Sequence, residues 1–264
     1  MTNARRRLGA TSAAVLLALP LAACGDDAGA GGAGTGDGGE RTLTVFAAAS
    51  LTTTFEELEE LFEDAHPDVD VRLSFGGSSD LVAQITEGAR ADVLASADIA
   101  NMDKLVSAGL AAGDPAEFAT NMLMIAVPPG NPAGIATLAD LARKDVELVL
   151  CQPEVPCGRA ALEVADAAGL TFSPVSEEES VSGVLTKVED GEADAGLVYV
   201  TDVAAAGDDL EGIDFPEAAD VVNHYPIVAV EGSEHADLAQ QWIDLVVGDG
   251  RQVLLDAGFG TPAS

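Results

Sequence analysis

The side chains able to do chemistry in this sequence are mostly hydroxyls, and they stand where the apolar pattern breaks. Ser50 separates the apolar run "VFAAA" from "LTTTF". Ser78 and Ser79 follow the glycine pair in "FGGSSDL". Cys151 and Cys157 bracket "CQPEVPCG", Ser180 and Val181 precede a further apolar periodicity, and Tyr199 stands in "GLVYV". Arg159 is the one cation near any of these points. His66, His224 and His235 show no metal-ligand spacing, and the carboxylates form no EF-hand pattern. No G-x-S-x-G, H-E-x-x-H or P-loop pattern is present, and no histidine stands in a recognisable relation to Cys157. What remains is hydrogen-bond donation to an anion. A serine at a helix start has two uses: it caps the helix, or it joins the free N–H groups there in holding a negative group.

The elements that must position these residues follow from periodicity. Residues 42–48 read as a strand, and Leu51, Phe55, Leu58, Leu61 and Phe62 recur at helical spacing. Val69, Val71, Leu73 and Phe75 alternate as a second strand, with a helix carrying Leu81, Val82 and Ile85 behind it. Val93 and Leu94 give a third strand, then Met102 and Leu105 a helix. Residues 122–127 form an apolar strand broken by "PPGNPAG". A second β-α series follows. Thr137 and Asp140 match a capping box, residues 148–150 a strand, and residues 158–168 a helix closed by Gly169. Val181, Val184, Leu185 and Val188 make one helix face, and residues 195–200 and 227–230 read as strands. Leu238, Trp242, Leu245 and Val246 belong to closing helices. The run Glu177, Glu178, Glu179 reads as a solvated loop.

Two β-α series predict two α/β lobes with mostly parallel sheets flanked by helices. Ligands of open α/β sheets bind outside the carboxyl ends of strands. Ser50, the run Gly77, Ser78 and Ser79, the 151–157 loop, Ser180 with Val181, and Tyr199 all fall at such ends. Converging helix starts, each with roughly half a positive charge, form an anion site without a cationic side chain.

The composition sets the setting. The 264 residues carry a formal net charge of -33, which disfavours nucleic acid and anionic membranes. Residues 1–23 combine Arg5, Arg6 and Arg7 with an apolar stretch ending in "LAAC", the pattern of a lipoprotein signal peptide whose Cys24 is lipidated. Residues 24–40 are Gly-rich and read as a flexible tether. The fold is therefore expected outside the cytoplasm, on the outer face of the plasma membrane, held by lipid on Cys24.

The segments "VFAAASL", "FGGSSDL", "ADVLASAD", "PEVPCG" and "GLVYVTDV", in this order, resemble the molybdate-binding periplasmic proteins of ABC transporters. The resemblance covers essentially residues 42–260. It implies a type II periplasmic-binding-protein fold with two crossover segments and a hinge. Lobe one would be residues 41–122 plus 226–264, and lobe two residues 123–225. It implies a monomeric binding protein, not an enzyme, that takes molybdate and tungstate and delivers them to a membrane permease. The metal would enter only as the oxyanion. Carried across residue by residue, the ligand contacts are the hydroxyls of Ser50, Ser78 and Tyr199 and the backbone N–H groups of Cys157 and Val181. Such a set suits a fully deprotonated tetrahedral dianion, which only accepts hydrogen bonds. Sulfate, another all-acceptor dianion, is the alternative ligand, since only cavity size rejects it.

Two positions depart from the resemblance. Cys157 stands where the family often has alanine, and in an exported chain it lies close enough to Cys151 for a disulfide. Arg159 either swings to the anion or pairs with an acidic neighbour at the surface, and the surface is the expectation.

Overall fold

The computed structural model describes residues 41–262; the expected signal peptide, Cys24 and the expected tether of residues 24–40 lie outside the described residues. β1 (Arg41–Ala48) passes through a single 3-10 turn (Ala49–Leu51) into α1 (Thr52–Ala65). β2 (Val69–Gly76), α2 (Ser78–Thr86), β3 (Val93–Ala95) and α3 (Ile99–Ser107) complete the first series. β4 (Ala116–Val127) leads out of it. The second series is β5 (Leu148–Cys151), α4 (Pro156–Ala167), β6 (Ser176–Glu178), α5 (Val181–Glu189), β7 (Ala195–Tyr199) and α6 (Val200–Ala206). β8 (Glu211–Ile213), β9 (Val222–Ala229), α7 (Ala236–Val247) and α8 (Arg251–Asp256) close the chain.

The strands run in the order β2-β1-β3-β9-β4-β7-β5-β6, with β8 added on β4. β2, β1 and β3 pair in parallel at one end, and β6, β5 and β7 do so at the other. The middle is antiparallel: β9 pairs with β3 and β4, and β4 pairs with β7 and β8. This is a mixed α/β fold with helices flanking a mixed sheet. The β-α rhythm foretells the parallel ends. The antiparallel centre arises because β4 and β9 are long-range partners that no local pattern announces.

β4 serves both ends of the sheet. Its Ala116–Met122 side pairs with β9, and Leu123–Ala126 pairs with β7. Apolar side chains separate accordingly. In β1, Val45 and Ala47 point to one face, against Phe55, Phe62 and Trp242 of α1 and α7. Phe46 points to the other face, with Leu81 and Ile85 of α2 and Met102 and Leu105 of α3. The period of two along a strand makes both faces usable at once. Beyond Met122, a separate cluster joins Ile125, Val149 and Leu197 to Val164 of α4 and Val184 and Val188 of α5.

Three elements differ from expectation. β9 begins at Val222, well before Ile227, although Pro226 stands inside it. A proline is tolerated there because the β4 register shifts between Glu117 and Ala119, opposite that point, so no ladder N–H is required. Ser176, Glu177 and Glu178 form the edge strand β6, not a loop, with Glu177 facing solvent. The capping box at Thr137 opens only a short 3-10 turn (Leu138–Ala142), with the Thr137 N–H donating to Asp140 Oδ2 at 2.9 Å.

Candidate functional site

Ser50, Ser78, Cys157, Val181 and Tyr199 line one small cavity, about 10 Å³ in volume. Its walls come from the carboxyl ends of β1, β2 and β7 and from the loops after β3, β5 and β6. No Lys, Arg, His, Asp or Glu lines it. A larger cavity of about 440 Å³ opens beside Ser50 and carries Glu189, Asp202 and Asp256 without a cation. Glu189 and Asp256 repel an anion, so the small donor-lined cavity is the candidate site despite its size.

Ser50 is not a helix cap. No side-chain cap bond closes the start of the 3-10 turn or of α1, and Ser50 Oγ instead lies 2.9 Å from Tyr225 Oη. Ser78 is the first residue of α2 and fully buried; its Oγ accepts the Ala97 N–H at 3.0 Å. That bond uses a lone pair and leaves the Ser78 proton to be donated. Cys157 is the second residue of α4 and Val181 the first of α5. N–H groups in a first helical turn have no intrahelical acceptor. The Cys157 sulfur is bonded to Cys151 and the Val181 side chain is apolar, so only their backbone N–H groups can donate to the cavity.

Tyr199 ends β7 and is buried. Its Oη accepts from Asn223 Nδ2 at 3.1 Å, and its backbone N–H donates to Asp202 Oδ2 at 2.8 Å. Burial, then the nearby Tyr225, Asp202 and Asp98, pushes the Tyr199 phenol well above its ordinary pKa. It therefore stays protonated and a donor at any physiological pH. Burial also pushes the Asp202 carboxyl up to about 7, opposed by the Tyr199 N–H.

The Cys151 and Cys157 sulfurs are bonded, with Cα atoms 5.7 Å apart, so the end of β5 is tied to the first turn of α4. Gly158 completes that turn: a Cβ there would lie 2.0 Å from the Gln152 carbonyl oxygen. Arg159 does not line the cavity. Its Nε donates to Asp98 Oδ2 at 3.2 Å, and Asp98 also caps α3 by accepting the Asn101 N–H at 2.8 Å. The pair is half-buried rather than at the open surface, and it joins α4 to α3.

Sequence reasoning missed the residues behind the five. Tyr225 and Asn223 hold Ser50 and Tyr199, and Ala97 holds Ser78. A signal existed: in "VNHYP" Asn223 and Tyr225 are two apart, as residues facing inward on a strand must be, with His224 turned outward to Glu117.

The model of the bacterial extracellular solute-binding proteins matches residues 43–260. The chain belongs to that family. It is a solute-binding protein of an extracytoplasmic class, not an enzyme. Among curated relatives, the molybdate-binding protein ModA of Mycobacterium tuberculosis is 45% identical over 248 residues, covering 94% of this chain and 95% of the relative. The periplasmic molybdate-binding protein of Azotobacter vinelandii superposes with a TM-score of 0.72 at 25% identity, over 84% of this chain and all of that one. The sulfate-binding protein SubI of Mycobacterium tuberculosis, with a TM-score of 0.69 at 18% identity over 83% of this chain and 86% of that one, shares the fold. No helix among the described residues is long and apolar enough to cross a membrane.

Proposed function

We propose that this chain captures molybdate, and tungstate with it, in the cavity lined by Ser50, Ser78, Cys157, Val181 and Tyr199, and delivers it to an ABC permease. One observation carries the reading: five residues from separate strand ends, each with a hydroxyl or a backbone N–H able to donate, line one cavity that contains no cation and no carboxylate. A fully deprotonated tetrahedral dianion is the solute such a lining suits. Hydrogen phosphate carries a proton and would set donor against donor. The 45% identical molybdate-binding relative supports the same ligand.

Capture works by closure of two lobes, residues 41–122 with 226–264 and residues 123–225. Support comes from the separate apolar clusters on either side of Met122 and from β4 passing between them. The pairing of Val222–Tyr225 with the first part of β4 favours drawing the second crossing near Val222 rather than Pro226. An anion that touches both lobes stabilises only the closed form, so capture and release follow a shift in population. Lipid on Cys24 and the residue 24–40 tether would keep the monomeric receptor beside its permease.

Isothermal titration of the mature protein with molybdate, tungstate and sulfate tests the reading. Each donor bond to a charged group contributes about 1.5–3 kcal/mol, so one-to-one molybdate binding in the micromolar range or tighter is expected. Preference for sulfate would move the function to another anion in the same site. Binding of none would sink the oxyanion reading.

A further inference from the structure

We propose that Asn223 is a positioning residue that fixes Tyr199 as a donor to the cavity, turning its hydroxyl proton towards the anion and so favouring fully deprotonated tetrahedral anions. The inference rests on the oxyanion reading above.

Asn223 is buried on β9, and its Nδ2 sits between two acceptors. One is the Ala97 carbonyl oxygen at 2.9 Å, the other Tyr199 Oη at 3.1 Å. A carbonyl can only accept, so the amide nitrogen, not the oxygen, must face Ala97. Both N–H groups are then committed, and the second is donated to Tyr199 Oη. A phenol that accepts on one side has its single proton left for another acceptor. The opposite orientation would set two oxygens against each other at Ala97. Asn223 Oδ1 makes no hydrogen bond among the described residues, so nothing on its oxygen side competes to hold the amide.

Ala97 extends the same polarity. Its carbonyl receives Asn223, and its N–H donates to Ser78 Oγ. The two backbone groups of one residue thus link Asn223 to a second cavity hydroxyl, which also accepts from behind and keeps its proton for the cavity. Each hydroxyl is thus filled by a donor from behind before any ligand arrives, with the Tyr225 hydroxyl as the neighbouring group that competes for the Tyr199 proton. A ligand bearing its own proton finds no acceptor at either.

A double-mutant cycle on the full-length mature protein tests this, with molybdate and inorganic phosphate as probes. Tyr199→Phe should weaken molybdate binding roughly 10- to 100-fold. Asn223→Ala should cost about tenfold in the wild-type background, and clearly less when Phe stands at position 199. Asn223→Asp should accept the Tyr199 proton itself and turn the phenol oxygen towards the cavity. It should then lower the molybdate-to-phosphate affinity ratio, which a merely structural defect would not do. Thermal unfolding establishes that each variant is folded. If Asn223→Asp fails to fold, the Asn223→Ala cycle decides alone, with Asn223→Ser in its place if alanine also fails. Equal losses from Asn223→Ala in both backgrounds would overturn the proposal while leaving the oxyanion reading intact. Wild-type protein that binds no molybdate would overturn both.

Discussion

A Cβ on residue 77 would lie 2.2 Å from the carbonyl oxygen of Glu179, so Gly77 and Glu179 meet at a distance that no side chain on residue 77 allows. Gly77 precedes α2 and Glu179 precedes α5, so this contact joins the two helix starts that carry Ser78 and Val181. The backbone at Gly77, φ -63° and ψ 135°, is ordinary for any residue. Alanine would therefore meet no local strain, only the opposing carbonyl. Gly77→Ala is expected to weaken molybdate binding by about 5- to 100-fold, the equivalent of about 1–3 kcal/mol of overpacking. Unfolding stability should change by no more than about 1 kcal/mol. Titration and thermal melts of the variant measure the two quantities. Unchanged affinity would mean that the contact is absent from the bound form.

Asp202 gives a pH prediction with a definite sign. Its carboxyl is raised from 3.8 to about 7 by burial. In the unfolded chain it ionises near pH 4, while in the folded chain it stays protonated to about pH 7. The unfolded state then binds fewer protons across that window, and stability falls as pH rises. The stabilisation is complete below about pH 4, and about 4 kcal/mol of it is lost by the time pH passes the folded value. Asp202→Asn keeps an oxygen for the Tyr199 N–H and removes the titration. Urea unfolding at pH 4.5 and 7.5 should show the variant gaining several kcal/mol on wild type at the higher pH. A difference independent of pH would show that Asp202 does not fold in its neutral form.

The Cys151–Cys157 bond closes a short ring, with a sequence separation of 6. Chain-entropy reasoning gives such a ring about 2 kcal/mol of stability. The larger consequence expected is on binding, because the bond fixes the turn that presents the Cys157 N–H. Reductant should lower the melting point modestly and weaken molybdate affinity more than it weakens affinity in a Cys151→Ser, Cys157→Ser variant. Intact-mass measurement with and without reductant should show a gain of two hydrogens. Two free thiols in the exported protein would end this account.

The candidate site was largely legible in the sequence because it is built from strand ends, and strand ends are where periodicity stops. Ser50, Ser78, Cys157, Val181 and Tyr199 share a cavity for that reason. Their supports were not legible, because each depends on a partner far along the chain. Ser50 meets Tyr225 across 175 positions, and Asn223 reaches Ala97 across 126. β9 starts ahead of the expected residue 227 and contains Pro226, whose missing N–H is harmless because β4 shifts register opposite it. The three-residue strands β6 and β8 are too short to show alternation, and their pairing with β5 and β4 is set by tertiary neighbours.

Arg159 supplies the last prediction. Its guanidinium is engaged by Asp98, a side chain only 10% exposed, while Arg159 itself is 36% exposed. Asp98 also accepts from Asn101 N at 2.8 Å and Asn101 Nδ2 at 3.1 Å. Removing the guanidinium leaves the carboxylate with these two donors, so Arg159→Ala should destabilise by about 1 kcal/mol, in the range of partly exposed ion pairs. The anion's affinity should fall by less than about fivefold, because the cavity donors are untouched. Tyr199→Phe is the internal comparison, since it removes a donor from the cavity itself. If Arg159→Ala weakens molybdate binding as much as Tyr199→Phe does, and the loss fades at high salt, the guanidinium reaches the anion in the bound form. The pairing with Asp98 would then belong to the empty receptor alone, and Arg159 would exchange a carboxylate for the ligand on capture.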